Sequence, residues 1–352
     1  MIKPMRLGCV FYLSFAVWAY AQQPAPPAPD QPSATSSSAE GRVHLNIAVT
    51  DKSGRLVSGL ELQDFLLKDN NVPQKIVSFR AVDSPTADPS AQVILLLDAV
   101  NLDAPAAKRT RDEMAKFLRK NGGHLAHPVS VFLLTDEGAK VLLQASVDGN
   151  ALAAQLEQTE SGFRALGRGA GQYGEIERFE SSVKWMAKIA NAESKRPGRK
   201  LLLWTGPGWP LLDRPDMNPS DKGQQQMFNE IVNLSTTLRE AQITVYSVAV
   251  GEPEPGTYLY EGFLKPVKTV GKANPSELGL KVLAVQTGGR VMSPNNDLAG
   301  QISRCVQDID SYYAITFDPP RADGANQYHD LKVEIGKPGL TARTNTGYYN
   351  QP

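Results

Sequence analysis

The chain has 352 residues, and its 37 Lys and Arg side chains balance its 37 Asp and Glu side chains, so the formal net charge is zero. This balance gives no electrostatic reason to expect a nucleic acid or an anionic membrane surface as the partner. Two cysteines and four histidines exclude a disulfide-dense scaffold and a Cys-rich zinc or iron–sulfur framework. The hydrophobic content of 41% is that of a globular protein with a core, and the length suggests two domains or one large one.

Residues 1–21 have the features of a secretory signal. Two basic residues precede a short apolar stretch from Leu7 to Trp18, and Ala19-Tyr20-Ala21 matches a small-residue cleavage site. The stretch is short for a membrane span, and an uncleaved anchor is the alternative interpretation. We predict that the mature protein begins near Gln22, has no transmembrane segment and lies outside the cytoplasm, in the periplasm, on the cell surface or secreted. Cleavage leaves Cys305 as its one cysteine, so no intramolecular disulfide can form.

Residues 22–41 are rich in Pro, Ala and Ser and predict a disordered linker. Two segments, residues 42–89 and 312–352, then show the alternation of apolar and polar residues that is typical of half-buried strands. Neither segment has enough strands to bury a sheet face alone. We therefore predict that they pair and form one small β domain. The alternating apolar positions include Val43, Leu45, Ile47, Val49, Tyr313, Ile315 and Phe317.

Residues 90–311 show a different pattern and predict an α/β domain inserted between those two segments. Continuous apolar runs are typical of parallel strands that are buried on both faces, and helical patterns lie between them. This alternation predicts a doubly wound, mostly parallel sheet with helices on both faces and one antiparallel edge strand at about residues 139–145. The runs are Val93 to Leu97, Val129 to Leu134, Leu201 to Trp204 and Ile243 to Val250.

The order of these elements resembles a von Willebrand factor type A domain. The matching features are the strand ending in Asp98, the hairpin around Asp136-Glu137-Gly138, and the strands RKLLLWTGPG and ITVYSVAVG. More closely, the chain is similar to the VWFA-related proteins that acidobacteria export, through VTDKSGRLVSGLELQDF, VILLLDAVN, KLLLWTGPGWP, LAVQTGGRV and TNTGYY. These pieces cover most of residues 43–350. The resemblance implies an α/β fold used for binding and does not imply a characterised activity.

Many type A domains hold Mg²⁺ at the C-terminal edge of the sheet, with ligands from an Asp-x-Ser-x-Ser turn, a Thr on a second loop and an Asp on a third. Here the first turn reads Asp98-Ala99-Val100-Asn101-Leu102, the second loop (residues 161–175) has no Thr, and the third turn (residues 205–208) has no acidic residue. Mg²⁺ needs near-octahedral oxygen coordination. We predict a degenerate metal-ion-dependent adhesion site, with Asp98 as a structural acceptor and no cofactor.

Four other features were candidates for chemistry. The letters Gly169-x-Gly171-x-x-Gly174 fit a dinucleotide fingerprint without the strand that should precede it, so we interpret them as a Gly-rich loop in which Arg168 could contact an anionic ligand. Trp209 lies in a Gly- and Pro-rich loop after a strand, either as an anchor for a partner or as a cap on the core. His124-x-x-His127 is interpreted as part of a solvated loop, and Cys305 as a core residue on an apolar helix stripe.

We hypothesise an exported, non-enzymatic protein-binding or adhesion-type module. Its partner-binding edge would include Asp98, Asn101, Arg168 and Trp209, and its partner would be a protein or a cell-envelope component. The type A resemblance and the lack of a G-x-S-x-G motif favour this hypothesis. One alternative is an exported hydrolase or other enzyme that uses Asp98, Asp136 and Asp213 at the same edge. The other alternative is a metal-dependent adhesion domain with an atypical site.

Overall fold

The computed structural model describes residues 41–84, 88–158, 171–212, 220–251 and 258–350. The predicted signal, almost all of the predicted linker and Arg168 lie outside these ranges. In chain order the strands are β1 (Val43–Thr50), β2 (Phe65–Asp69), β3 (Val72–Pro73), β4 (Ile76–Val82), β5 (Gln92–Asp98), β6 (His124–Thr135), β7 (Gly138–Asp148), β8 (Lys200–Thr205), β9 (Ile243–Val248), β10 (Tyr312–Phe317), β11 (Gln327–Ile335), β12 (Thr341–Arg343) and β13 (Gly347–Asn350). The helices are α1 (Ala104–Leu118), α2 (Gly149–Gln158), α3 (Gln172–Glu193), α4 (Asp221–Glu240), α5 (Leu280–Gln286) and α6 (Leu298–Asp310).

A five-stranded sheet with the order β7-β6-β5-β8-β9 forms the centre of the molecule. The strands β6, β5, β8 and β9 run parallel, and β7 pairs antiparallel with β6 at one edge. The α/β class, the mostly parallel sheet and the antiparallel edge strand are thereby confirmed. Strand β5 is a continuous apolar run because it is buried on both faces, as predicted. Ile94 and Leu96 belong to one core, and Val93, Leu95 and Leu97 belong to the other.

Helices cover both faces of this sheet. Buried residues of α3, α4 and α5 pack in one core, and those of α1, α2 and α6 pack in the other. Three of the helices begin at side chains that cap them, because Asp103, Ser220 and Asp297 accept hydrogen bonds from backbone N–H groups in the first turn. The Asp297 cap has a sequence signal, an Asp directly before an apolar stripe with helical spacing. The helices α2 and α5 were not predicted, since each buries only a short apolar stripe.

The two ends of the chain interleave in two four-stranded sheets, with the orders β12-β1-β10-β4 and β13-β11-β2-β3. Strand β10 lies between β1 and β4, so a strand from the C-terminal segment joins two strands from the N-terminal segment. A third core fills the space where the two sheets meet, with Leu45, Ile47 and Ile315 among its buried residues. Residues 41–352 form one compact unit. The division at residues 90 and 312 into separate domains stays a prediction.

A buried ion cluster ties the β sheets to the α/β part of the molecule. Asp308 on α6 has no exposed surface and binds Arg290 and, through a 2.8 Å contact, Arg343 on β12. Tyr246 on β9 donates a further hydrogen bond of 2.8 Å to the same carboxylate. Burial by itself raises the pKa of Asp308, but the Arg290 hydrogen bond and the charges of Arg343 and Arg290 outweigh it, so the pKa lies below its ordinary value.

The histidine pair lies in a strand, and its interpretation as part of a solvated loop is wrong. His124 is the first residue of β6 and pairs with Asp148 on β7. The His127 ring is buried, and its Nε2 lies 2.6 Å from Oδ1 of Asp310 on α6. The neighbouring Gly and Pro residues suggested a loop, whereas the partner carboxylate is 183 residues away in the sequence.

Candidate functional site

A pocket of about 600 Å³ opens at the C-terminal edge of the five-stranded sheet. This is the edge at which open α/β sheets bind their ligands. Its walls come from the turn after β5, the first turns of α3, the loop after β8 and the segments around residues 259–260 and 280–281. Its lining residues include Asn101, Arg178, Trp209, Leu259, Tyr260 and Lys281.

Asp98 lies behind this pocket with no exposed surface and accepts four hydrogen bonds. Its Oδ1 accepts from the backbone N–H groups of Val100 at 3.1 Å and Asn101 at 3.0 Å. Its Oδ2 accepts from the Asn101 Nδ2 at 2.9 Å and from the Trp204 Nε1 at 2.8 Å. Burial raises the pKa of Asp98 although these donors act in the opposite direction. Asp98 is therefore a structural acceptor.

Asn101 extends this network toward α3 and the pocket. Its Nδ2 also lies 3.1 Å from the hydroxyl oxygen of Ser182, which is fully buried on α3. Its Oδ1 is buried without a hydrogen-bond partner among the described residues. The roles of Trp204 and Ser182 were missed from the sequence, because their partners are 106 and 81 residues away.

The described residues at this edge do not fit a Mg²⁺ ion. Both oxygens of Asp98 already accept hydrogen bonds, and Asn101 turns its Nδ2, not its oxygen, toward that carboxylate. The hydroxyl of Thr205 donates to the Leu96 carbonyl oxygen at 2.6 Å. Within the described ranges, no three His, Cys, Asp or Glu side chains are grouped so that they could hold a metal ion. The donor chemistry thus differs from the oxygen set that this ion needs.

Trp209 is a buried wall of the pocket. Only 5% of its surface is exposed, its ring centroid lies 5.0 Å from that of Trp204, and its Nε1 donates to the Leu278 carbonyl oxygen at 3.1 Å. The preceding Gly208 has φ +79°, and a Cβ there would lie 3.0 Å from Leu280. Of the two interpretations made from the sequence, the cap on the core describes this ring.

Three exposed apolar side chains lie on segments that contribute to the pocket walls, and one of them, Leu259, lines the pocket itself. Tyr258 is 61% exposed and Leu259 is 68% exposed, on the segment that forms one wall. Tyr173 is 86% exposed in the first turn of α3, which forms another wall. None of the three was identified from the sequence. The signal available was the apolar run Tyr258-Leu259-Tyr260 in a segment with no strand or long helix pattern.

Of the other predicted residues, Cys305 and Asp136 do not line this pocket. Cys305 is fully buried on α6, as predicted, and burial raises the pKa of its thiol to about 12. Asp136 is exposed in the turn between β6 and β7, and its Oδ1 accepts from the Glu137 N–H at 3.0 Å. Arg168 and Asp213 lie outside the described residues.

No protein-family model matches the chain, and no curated protein matches it in sequence. Among solved structures, human COPII-coat protein Sec24c is 11% identical with a TM-score of 0.37, over 78% of this chain and 46% of that one. The SpRpn10 VWA domain is 10% identical with a TM-score of 0.30, over 60% of this chain and 93% of that one. The pilus adhesin SpaC of Lactobacillus rhamnosus GG is 8% identical with a TM-score of 0.34, over 83% of this chain and 48% of that one. This chain therefore spans about half the length of Sec24c and of SpaC.

None of the helices in the described ranges combines the length and the apolar character needed to cross a membrane.

Proposed function

We propose that the protein is an exported, non-enzymatic binding module that holds a protein partner at the C-terminal edge of its sheet. The observation that carries this proposal is the exposed pair Tyr258 and Leu259 beside the pocket. Large apolar side chains that surround a concave site mark interaction surfaces, and tyrosine is enriched among the residues that dominate binding energy. Tyr173 on α3 adds a third exposed apolar side chain.

The chemistry behind the pocket supports binding over catalysis. Asp98 is the carboxylate on which the hydrolase alternative chiefly depends, and it is buried with both oxygens occupied by hydrogen bonds. Arg178 and Lys281 give the pocket positive charges beside Glu175. These charges would favour polar contacts at the rim of an interface whose centre is apolar.

The finer assignment rests on sequence resemblance. We propose a type A-like domain of the VWFA-related exported kind, because three of the five pieces that resemble this family fall on β5, on β8 with the loop after it, and on β13. Its partner would then be a protein of the cell envelope or the surroundings. The formal net charge of zero supports a protein partner over a nucleic acid.

Affinity capture from an envelope fraction tests the proposal. The bait is the full mature chain, and the decisive variant carries Tyr258→Ala and Leu259→Ser. Val72→Ser is the matched control, because Val72 is 58% exposed on β3, away from the pocket. We expect a stoichiometric partner with the wild type and the control, and at least a tenfold weaker complex with the double variant, since hot-spot residues contribute about 2 kcal/mol or more. Equal capture by the folded double variant would contradict the site.

A further inference from the structure

The pocket at the C-terminal edge of the sheet contains an arginine, Arg178 on α3, whose charge no described residue pairs with. Its side chain is half-buried in the pocket wall. It makes no hydrogen bond or ion pair with any other residue in the described ranges. A guanidinium has several N–H donors in a fixed fork, and an arginine that leaves the solvent is normally paired. Arg178 therefore indicates that this pocket receives an anionic group from a ligand.

Arg178 lies directly outside the hydrogen-bond network of Asp98. Ser182 follows it by one helical turn on α3, is fully buried, and lies 3.1 Å from the Nδ2 of Asn101. Residues one turn apart share a face of a helix, and their side chains lean toward its N-terminus. Arg178 is consequently on the face of α3 that meets Asn101, one turn nearer to solvent, and both residues line the pocket.

The acidic side chains in this region do not neutralise Arg178. Asp98 accepts its four hydrogen bonds from other donors. Glu175 lines the same pocket but has an interaction of its own, and Glu180 lines the groove between α3 and α4 instead. The charged residues that line the pocket are Arg178, Lys281 and Glu175, so its lining has an excess of positive charge.

Apolar side chains form most of the surface beside this charge. Trp209 is a buried wall whose Nε1 is fixed by the Leu278 carbonyl oxygen at 3.1 Å. Leu280 and Met292 line the pocket as well. The volume of about 600 Å³ is within the range of about 300–1,000 Å³ that is usual for ligand sites. The pocket thus fits a group that is apolar and carries a negative charge at one end.

We infer that the pocket takes the C-terminal residue of the partner protein, with its α-carboxylate on Arg178 and its apolar side chain against Trp209 and Leu280. A C-terminal residue carries both groups on one carbon atom, whereas an internal aspartate or glutamate has no apolar group beside its carboxylate. Arginine holds a carboxylate through paired, parallel N–H···O bonds, which fix its orientation. This inference rests on the function proposed above, because it names the part of the partner that enters the same site.

Small probes test the inference on the full mature protein. N-acetyl-leucine has an apolar side chain and a free carboxylate, and N-acetyl-leucinamide has the same side chain with a neutral amide. Binding is followed by the NMR signals of the Arg178 Nε–H and the Trp209 indole. We expect N-acetyl-leucine to bind about tenfold more tightly, because hydrogen bonds between charged groups are the stronger ones. Equal binding of the two probes, or no shift of either signal, would overturn the inference.

Variants of Arg178 show whether its guanidinium causes this preference. Arg178→Gln should bind N-acetyl-leucine as weakly as the amide, and Arg178→Lys should bind it with intermediate affinity, since lysine keeps the charge but loses the paired geometry. Arg304→Gln is the charge-matched control, because Arg304 is exposed on α6, which packs on the other face of the sheet. It should bind as the wild type does. A preference for the acid that persists in Arg178→Gln would exclude this role of Arg178.

A third probe distinguishes a chain end from an internal acidic residue. The α-amide of N-acetyl-glutamic acid has its carboxylate on the side chain alone. We expect it to bind more weakly than N-acetyl-leucine, because it brings no apolar group to the wall formed by Trp209 and Leu280. Tighter binding of the glutamate probe would assign the pocket to an internal acidic side chain and would overturn the choice of the chain end.

Affinity capture separates this inference from the function on which it rests. The baits are Arg178→Gln, the Arg304→Gln control and the variant with Tyr258→Ala and Leu259→Ser. We expect the first and the last to lose the partner. Capture that Arg178→Gln retains and the double variant loses would overturn the inference and leave the proposed function standing. Equal capture by the folded double variant would contradict the proposed function, whereas the probe titrations would still decide what the pocket binds.

Discussion

At the scale of single residues, Asp98 organises the end of β5 by satisfying donors that burial would otherwise leave without partners. The Trp204 indole, the Asn101 amide and two backbone N–H groups all donate to it. We predict that Asp98→Ala lowers the free energy of unfolding by about 3–5 kcal/mol, because several buried donors lose their acceptor together. Urea denaturation followed by tryptophan fluorescence measures this loss.

Asp136→Ala is the control for that variant, because Asp136 is an exposed carboxylate in the turn after the neighbouring strand β6. Its effect should stay within about 0.5 kcal/mol, as is usual for surface substitutions. A loss of less than about 1 kcal/mol for Asp98→Ala would mean that water replaces the carboxylate at this position.

The same network leads to a prediction about metal. We expect millimolar MgCl₂ or excess EDTA to leave the melting temperature and partner binding unchanged, since the side chains around Asp98 offer a poor oxygen set. Calorimetric titration with Mg²⁺ and Mn²⁺ provides the direct measurement. If a site of micromolar affinity were present, a free metal concentration of about one thousand times its Kd would raise the free energy of unfolding by about 4 kcal/mol. Such a rise would contradict the prediction.

At the scale of elements, the Asp308 cluster connects α6 with β9 and β12. The pKa of Asp308 is lower in the folded protein than in the unfolded chain, so its contribution to stability is present above the unfolded value of about 3.9. That contribution is lost as the pH falls through the folded pKa. We predict that the free energy of unfolding decreases below about pH 4 partly because this carboxylate must be protonated.

Asp308→Asn tests this linkage, measured as the free energy of unfolding by urea denaturation between about pH 2 and pH 7. The variant should be less stable than the wild type at neutral pH, by about 3–5 kcal/mol, because Arg290 and Arg343 lose a buried partner. The difference should shrink as the pH falls. Asp136→Asn is the exposed control, since this carboxylate lies in the turn between β6 and β7. A difference that stays constant with pH would refute the assignment.

At the scale of the whole molecule, the interleaved chain ends predict that the β sheets and the α/β part unfold together. Strand β10 is flanked by β1 and β4, and Tyr349 on β13 packs in a core of the α/β part. Ile315 is buried on β10, whereas Trp185, Trp204 and Trp209 all lie in the α/β part. Tryptophan fluorescence therefore reports on a region remote from a change in β10.

We predict that Ile315→Ala lowers the free energy of unfolding by about 2–5 kcal/mol. The loss measured from the tryptophan fluorescence transition should equal the loss measured from hydrogen exchange of the Ile47 amide. Val72→Ala, at an exposed position on β3, should have little effect on either probe. Two separate transitions, with the tryptophan midpoint unchanged, would show that the ends form an independent domain.

The sequence by itself determined those features that depend on local periodicity. Three such features are the apolar run of β5, the alternation of β1 and β10, and the Asp297 cap. Each can be recognised within a few consecutive residues, because the local order of apolar and polar residues shows where an element begins and which side of it is buried. The pairing of the two chain ends also followed, because neither end could cover its apolar face alone.

Only the tertiary structure decided which side chains meet. The Trp204 indole bonds with Asp98 across 106 residues, and Arg343 reaches Asp308 from a different sheet. Such contacts depend on strand order and on register, where a shift of one residue would turn each side chain to the other face. Burial of Trp209 and exposure of Tyr258 are decided in the same way, because a loop side chain has no repeating pattern from which its surroundings can be inferred.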